Sequence, residues 1–384
     1  MSGYLLGKNQ PNRRTGSNQG LMAVVCKNQP SDTENADGMV RSLTVGGVRW
    51  RNNILLAPMS GVSDAPFRRA AWRCGAGMVF SEMVASEALV TGHMEMQMKA
   101  ENAGLPLHVV QLAGRQAKWM DRAARLAEAN GADVIDINMG CPARKVTNGL
   151  SGSALMRDLD HAMELVNAVL GAVQVPVTLK MRLGWDHHSI NAPELARRAV
   201  DAGVQMITVH GRTRCQFYKG KADWHAVRAV REATDVPLIV NGDIGCADTA
   251  KAAMAASGAD GVMLGRVSYG QPNLPGDIAN ELSGSKEQAG NRYSMVEHYR
   301  DMIAFYGEPL GLRCARKHVG WWMERLPFAV GADLKREIMT SRSAVFVEEK
   351  LETLEREQGW PSQASSVESQ GVAPQGAVLR ERAA

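Results

Sequence analysis

Several things are missing from this chain of 384 residues, and each absence removes a class of protein. No apolar run approaches the roughly 20 residues that a membrane-spanning helix needs. The N-terminus shows no apolar core of a secretory signal, so a soluble, cytoplasmic protein is expected. The six cysteines, at 26, 74, 141, 215, 246 and 314, are scattered, with no C-x-x-C pair. That argues against a zinc site and a disulfide scaffold, and fits a reducing compartment. No G-x-G-x-x-G turn follows the first apolar strand, which counts against a Rossmann domain. His187-His188 has no third ligand at suitable spacing, so no metal is expected. Strong charge is lacking as well: a net +4 is compatible with a nucleic-acid partner without arguing for one.

What is present is a rhythm. Gly75, Gly131, Gly203 and Gly258 each end a helical stretch just before a short apolar run. These runs are Met78-Val79-Phe80, Val134 to Ile137, Met206 to Val209 and Gly261 to Leu264. Leu105-Pro106, Val175-Pro176 and Val236-Pro237 introduce three more, and Ile54-Leu55-Leu56 makes eight. Strands alternating with amphipathic helices are parallel. Eight within about 215 residues predict an α/β fold of the (β/α)8 TIM-barrel type over residues 45–285. After that the strand-like runs stop, and helical periodicity predicts a small all-helical domain over 290–355. Residues 1–44 and 356–384, rich in Ser, Gln, Gly and charge, read as a flexible extension and a disordered tail.

Polar residues recur at the strand ends, which in a barrel converge on the mouth that carries chemistry. In chain order they are Pro58-Met59-Ser60, Ser81-Glu82-Met83, Gln111, Asn138, Lys180-Met181-Arg182, His210-Gly211-Arg212, Asn241-Gly242-Asp243 and Gly265-Arg266. The fourth continues into Gly140-Cys141-Pro142. Gly140 is expected to permit a turn that a side chain would block, and Pro142 to fix the direction of exit. Cys141 is thereby held on a rigid turn just past a strand end, beside basic residues. The glycine turns after strands seven and eight, with Arg266, match the phosphate site of barrel enzymes. Gln111, Lys180 and His210 offer donors to a flat heterocycle. A planar, phosphorylated, redox-active cofactor fits this set, with FMN the natural candidate and Lys180 placed to stabilise its anionic reduced ring.

The segments LAPMSGVSDAPFR, VQLAG, DINMGCPARKV, GSALMRD, TLKMRLGW, ITVHGRTR, PLIVNGDI, GVMLGR and ARKHVGWW run in order through residues 45–325. In combination they resemble the tRNA-dihydrouridine synthase family, in its bacterial B-type branch. The resemblance implies FMN, NAD(P)H as electron donor, and reduction of the C5=C6 bond of uridines in tRNA. By position it implies that Pro58, Met59 and Ser60 lie along the flavin, that Gln111 and Lys180 contact its ring system, and that His210 lies close to it. Asn241, Gly242, Asp243, Gly265 and Arg266 would hold the phosphate. Cys141 would be the proton donor to C5, with hydride passing from flavin N5 to C6. A general acid must stay protonated, so Cys141 is expected to be a thiol at neutral pH. Asn138 is placed to bond the base or the flavin, and Arg182 to face the substrate's phosphate or carbonyl. Arg313, Arg316 and Lys317 fall on neighbouring turns of one helix, where they can hold tRNA phosphates, and Trp321-Trp322 offer a ring for stacking. A monomer is expected. Two other readings share parts of this pattern. One is a small-molecule FMN oxidoreductase of the dihydropyrimidine or dihydroorotate dehydrogenase type, which needs no basic helical domain. The other is a catalytically silent RNA-binding protein, which needs no complete set of Cys141, Lys180, His210 and Arg266.

Overall fold

A computed structural model describes residues 38–284 and 293–359. Most of the expected extension and tail lies outside the described residues. A hairpin of β1 (Leu43–Val45) and β2 (Val48–Trp50) comes first, beginning inside the stretch expected to be flexible. Eight strands follow: β3 (Ile54–Leu56), β4 (Val84–Ala85), β5 (Val109–Ala113), β6 (Val134–Met139), β7 (Val177–Arg182), β8 (Ile207–His210), β9 (Leu238–Asn241) and β10 (Gly261–Leu264). All pair in parallel, in the order β3-β10-β9-β8-β7-β6-β5-β4. The Leu56 amide donates to the Met78 carbonyl at 2.9 Å, and Leu56 bridges Val79. The ring is thereby closed, and the fold is the expected TIM barrel.

The outer layer is α1 (Ala65–Arg73), α2 (Ser86–Val90), α3 (Met94–Ala100), α4 (Ala117–Ala129), α5 (Arg144–Thr147), α6 (Leu159–Leu170), α7 (Ala192–Ala202), α8 (His225–Ala233), α9 (Ala247–Ser257) and α10 (Leu274–Ser283). Asp64 caps α1 by accepting from the Phe67 amide at 3.0 Å, and Asp158 caps α6 by accepting from that of His161 at 3.0 Å. These satisfy first-turn donors that have no partner within the helix.

The second strand departs from expectation. Met78-Val79-Phe80 provides only a single bridge, and the strand resumes at Val84. Between them the Ser81 hydroxyl, not a backbone carbonyl, accepts the Gln111 amide at 2.9 Å. A side chain taking a ladder bond leaves the backbone free to leave the sheet there.

Register explains where the chemistry sits. Gln111 pairs with Asp136, Asp136 with Thr178, Asn138 with Lys180, Lys180 with Thr208, Arg182 with His210, and His210 with Asn241. Side chains alternate along a strand, so all of these share one face, the barrel interior. The residues between them, such as Val110, Ile135, Leu179 and Val209, face outward into the cluster formed with the helices. Lower in the barrel the inward layer is apolar: Leu55, Val109, Val134, Ile239 and Met263 pack with Val45 and Trp50 of the hairpin, which plugs the bottom.

The C-terminal part consists of α11 (Met295–Tyr306), α12 (Glu308–Met323), α13 (Ala332–Thr340) and α14 (Ala344–Glu357), with its own core around Tyr299, Met302, Trp322 and Leu351. It docks on α1 and on the turn after β10. Arg69 forks onto Asp301 at 2.6 and 2.7 Å. The Tyr306 hydroxyl donates to Asp64 at 3.0 Å, and Tyr269 stacks on Trp321 at 4.2 Å.

Candidate active site

Cys141 sits half-buried on the turn after β6. Three neighbours hold this turn. The Asn138 carboxamide oxygen accepts from the amides of Gly140 (3.2 Å) and Cys141 (3.0 Å). Arg182 Nε donates to the Gly140 carbonyl at 2.9 Å. Ser153 donates to the Cys141 carbonyl through its amide (3.1 Å) and its hydroxyl (2.8 Å). Gly140 is not the steric necessity that the sequence suggests, because a Cβ there would meet nothing closer than 3.5 Å. The glycine this turn requires is Gly152, at φ +60°, where a Cβ would lie 2.9 Å from the Cys141 carbonyl oxygen and 3.2 Å from its Cβ.

Beneath the thiol lies a buried polar network. Asp136 accepts from Gln111 Nε2 and from Thr178 Oγ1, both at 2.6 Å. The Gln111 oxygen accepts from Asn138 Nδ2 at 2.7 Å. Lys180 donates to Asn241 Oδ1 at 3.2 Å, and Asn241 Nδ2 to the Met263 carbonyl at 2.6 Å. Asn138, expected to bond a ligand, spends its oxygen on the cysteine turn and one N–H on Gln111; it positions Cys141. Burial drives the titratable groups here toward neutrality. It pushes Asp136 up to about 6 and pulls Lys180 down to about 8. It also raises the Cys141 thiol above its usual value, against the smaller pulls of the Ala143 amide, Arg182 and Lys180. Burial therefore favours the protonated thiol at Cys141.

Arg182 is fully buried and largely engaged, since Nη1 also donates to the Thr213 and Phe217 carbonyls, each at 2.8 Å. Only its second terminal nitrogen lacks a protein acceptor among the described residues. Its main work is to tie the cysteine turn to the loop after β8, which differs from the expected direct substrate contact. Arg212 escapes the sequence reading as a separate contributor. Its Nη2 donates to both Asp243 carboxylate oxygens, at 2.6 and 2.8 Å, and its Nη1 lies 3.2 Å from His210 Nε2. A guanidinium can only donate, so His210 Nε2 accepts and the ring proton resides on Nδ1. Burial, then the charges of Arg182, Lys180, Arg212 and Arg266, holds His210 neutral, well below the ordinary histidine range.

Gly242, at φ +117°, leaves no room for a Cβ, which would come within 2.8 Å of the His210 ring. The Asp243 carboxylate is occupied by Arg212 and by the Ala222 amide at 2.7 Å, so what this residue offers a ligand is its backbone. The amides of Gly242, Asp243, Gly265 and Arg266 have no protein acceptor among the described residues. Lys180 and Arg266 form no ion pair there, and Arg266 lies 4.0 Å above the Tyr218 ring. Free amides with unneutralised cations form a site for an anion, and the donors of Lys180 and His210 stand beside it. A phosphorylated flat heterocycle such as FMN fits these residues. Pro58 and the buried Met59 follow β3, with the Met59 amide held by Ser63 Oγ at 2.8 Å, and Ser60 is exposed.

The dihydrouridine synthase (Dus) family model matches residues 55–358. The chain belongs to the dihydrouridine synthase family. It is 56% identical over 292 residues to the probable tRNA-dihydrouridine synthase of Rhizobium leguminosarum bv. phaseoli, covering 76% of this chain and 92% of that one. It is 39% identical over 332 residues to tRNA-dihydrouridine synthase B of Pseudomonas putida, covering 83% and 98%. Among solved structures, a 2-naphthoyl-CoA reductase complex aligns with TM-score 0.53 at 13% identity, covering 85% of this chain and 70% of that one, a likeness of fold alone.

The helical part of the chain revises the expected tRNA footing. Arg313 is exposed. Lys317 reaches back over the barrel, so that a Cβ on Gly61 would lie 3.8 Å from its Nζ. Arg316 instead donates to the Ser341 carbonyl at 3.1 Å, and its Nε is buried without a partner among the described residues. It belongs to the packing of the helices. Trp322 is buried, and Trp321 is occupied by Tyr269, so neither is a free stacking ring.

Proposed function

We propose that this protein is an FMN-dependent tRNA-dihydrouridine synthase that reduces the C5=C6 bond of particular uridines, with NAD(P)H as electron donor. The observation that carries the reading is a protonated, half-buried thiol on a braced turn, beside a cationic cradle for a phosphorylated ring. Pro58, Met59, Gln111, Lys180 and His210 would hold the ring system. The free amides of Gly242, Asp243, Gly265 and Arg266 would hold the phosphate, with Asn241 beside them at the end of β9. When bound, FMN supplies the hydride that adds at C6 of the uracil. The C5=C6 bond is conjugated with the C4 carbonyl, so that addition leaves negative charge which a proton at C5 discharges. Cys141 delivers that proton from Sγ, and burial keeps it available for the purpose. Lys180 stabilises the thiolate that remains. Asn138 and Arg182 keep the turn in place throughout. The target base must leave its stack to reach this depth.

The test is anaerobic. The flavin-loaded protein is reduced with NADPH, unmodified tRNA is added, and flavin absorbance and dihydrouridine are followed together. Rapid reoxidation with dihydrouridine appearing is expected. Reoxidation by a free pyrimidine and not by tRNA would transfer the protein to the small-molecule class.

A further inference from the structure

The helical part contacts the barrel beside β3 and β10, and β7 lies four strands from β3 in the closed ring, which puts it across the mouth. The loops there hold a cluster that the reaction does not use. Two guanidinium groups lie over the ring of Trp185, in the loop after β7: Arg157 Cζ is 4.9 Å and Arg214 Cζ 4.6 Å from its centroid. Arg157 is exposed and ends the short helical turn Gly152–Arg157. Arg214 is half-buried; Nη2 donates to Thr147 Oγ1 at 3.2 Å, and Nε is buried without a partner among the described residues. The amides of Arg214 and Cys215 donate to the carbonyls of Gly184 (2.9 Å) and Trp185 (2.8 Å). Both acids adjacent in sequence are engaged elsewhere: Asp158 caps α6 by accepting from the His161 amide (3.0 Å), and Asp186 is turned onto its own loop by the His188 amide (3.0 Å) and Ser189 Oγ (2.9 Å). Among the described residues neither arginine forms an ion pair.

Two cations ordered against an aromatic ring, with no carboxylate between them, have already lost much of their side-chain freedom. They keep N–H edges for planar, bidentate acceptors. Through Thr147, which lies on α5 directly after the cysteine turn, the cluster shares a wall with Cys141. We propose that Arg157, Trp185 and Arg214 form a second footing for the RNA backbone, across the barrel mouth from Lys317 and Arg313. The substrate strand then spans the mouth and is held on both sides of the thiol. This inference rests on the tRNA reading above.

The experiment measures tRNA affinity of the full chain by filter binding from about 50 to 300 mM salt, a range in which phosphate contacts report themselves as a slope. Each lost phosphate contact flattens the slope of log K against log salt by about 0.7 to 0.9. Arg157→Gln is expected to flatten it by that amount and Arg157→Gln/Arg214→Gln by about 1.4 to 1.8. Arg157→Lys is expected to keep most of the slope. Arg197→Gln, an exposed residue paired with Glu194 and Asp201 on α7, serves as a control with no change. If the arginines merely buttress the loop, Arg157→Gln lowers the melting temperature and leaves the slope intact, which overturns the footing. Because Arg157 is exposed, that variant remains informative where the double variant fails to fold. Wild-type protein that does not bind tRNA at all overturns the tRNA reading itself, and the footing with it.

Discussion

Two regions of this molecule bury polar side chains, and they do so in opposite ways. In the barrel, Gln111, Asp136, Asn138 and Thr178 are joined by bonds of 2.6 to 2.7 Å, and beside them Lys180 is bonded to Asn241 at 3.2 Å. At the seam between α1 and the helical part, His298 and His318 are wholly buried, in a cluster of edge-to-face and tilted rings with Phe67 and Trp321. Among the described residues His318 has no partner at either nitrogen, and His298 only the Tyr293 hydroxyl, at 2.8 Å. The difference teaches what each burial serves. A connected network fixes geometry and tunes protonation around a reacting group. Imidazoles packed among rings with little or no hydrogen bonding serve docking and leave the seam open to acid.

The sharpest way to break this contrast is to remove the group that the network serves. Cys141→Ala is expected to lower turnover on tRNA by about 10² to 10⁴, while flavin binding and reduction by NADPH persist. Single-turnover assays with reduced protein separate the two, and normal turnover would sink the proton-donor role.

The seam predicts a dependence on acid. Burial holds His298 down to about 3 and His318 well below the ordinary range. Facing charges are few: Asp301 raises His298, Arg73 and Arg69 lower it, and Lys317 lowers His318. A histidine with a depressed folded pKa binds fewer protons folded than unfolded, so stability is lost as pH falls below about 6.5. The slope should reach about 1.4 kcal/mol per pH unit for each histidine that must remain neutral. Urea titrations between pH 7 and 5 should show it, and His318→Phe should flatten it. An unchanged slope in that variant would put the acid sensitivity elsewhere.

A smaller effect sharpens the comparison from the network side. Lys180 is pulled down to about 8 by burial, so its charge is lost as pH rises through that value. Flavin reduction should slow above it, and Lys180→Arg should move the alkaline limb upward; a limb that stays put would remove Lys180 from the step. Smallest of all is the helix that sequence spacing misjudges. Arg316→Ala should leave tRNA affinity nearly unchanged and lower the melting temperature, whereas Lys317→Ala should raise the dissociation constant.

Much of the fold was legible because glycine helix ends and short apolar runs repeat along the chain. The second strand was not: nothing local announces that the Ser81 hydroxyl takes the Gln111 amide from the ladder. The cysteine turn was legible as a motif, yet its brace, Gly152, comes from a separate segment. Asp136 carried a readable signal, an acid in the apolar run Val134 to Ile137. Spacing on α12 showed which basic residues are neighbours, but not which of them faces the other helices.

The sequence by itself determined the alternation of strands and helices, the thiol past a strand end, and the polar residues that meet at the mouth, because these depend on local periodicity and turn chemistry. Only the tertiary structure decided that Asn138 and Arg182 brace the thiol, that Arg212 sets the His210 proton, that Arg316 is turned inward, and that burial keeps Cys141 protonated. Those outcomes depend on which carbonyls, charges and solvent distant segments bring to each group, and spacing along the chain does not encode them.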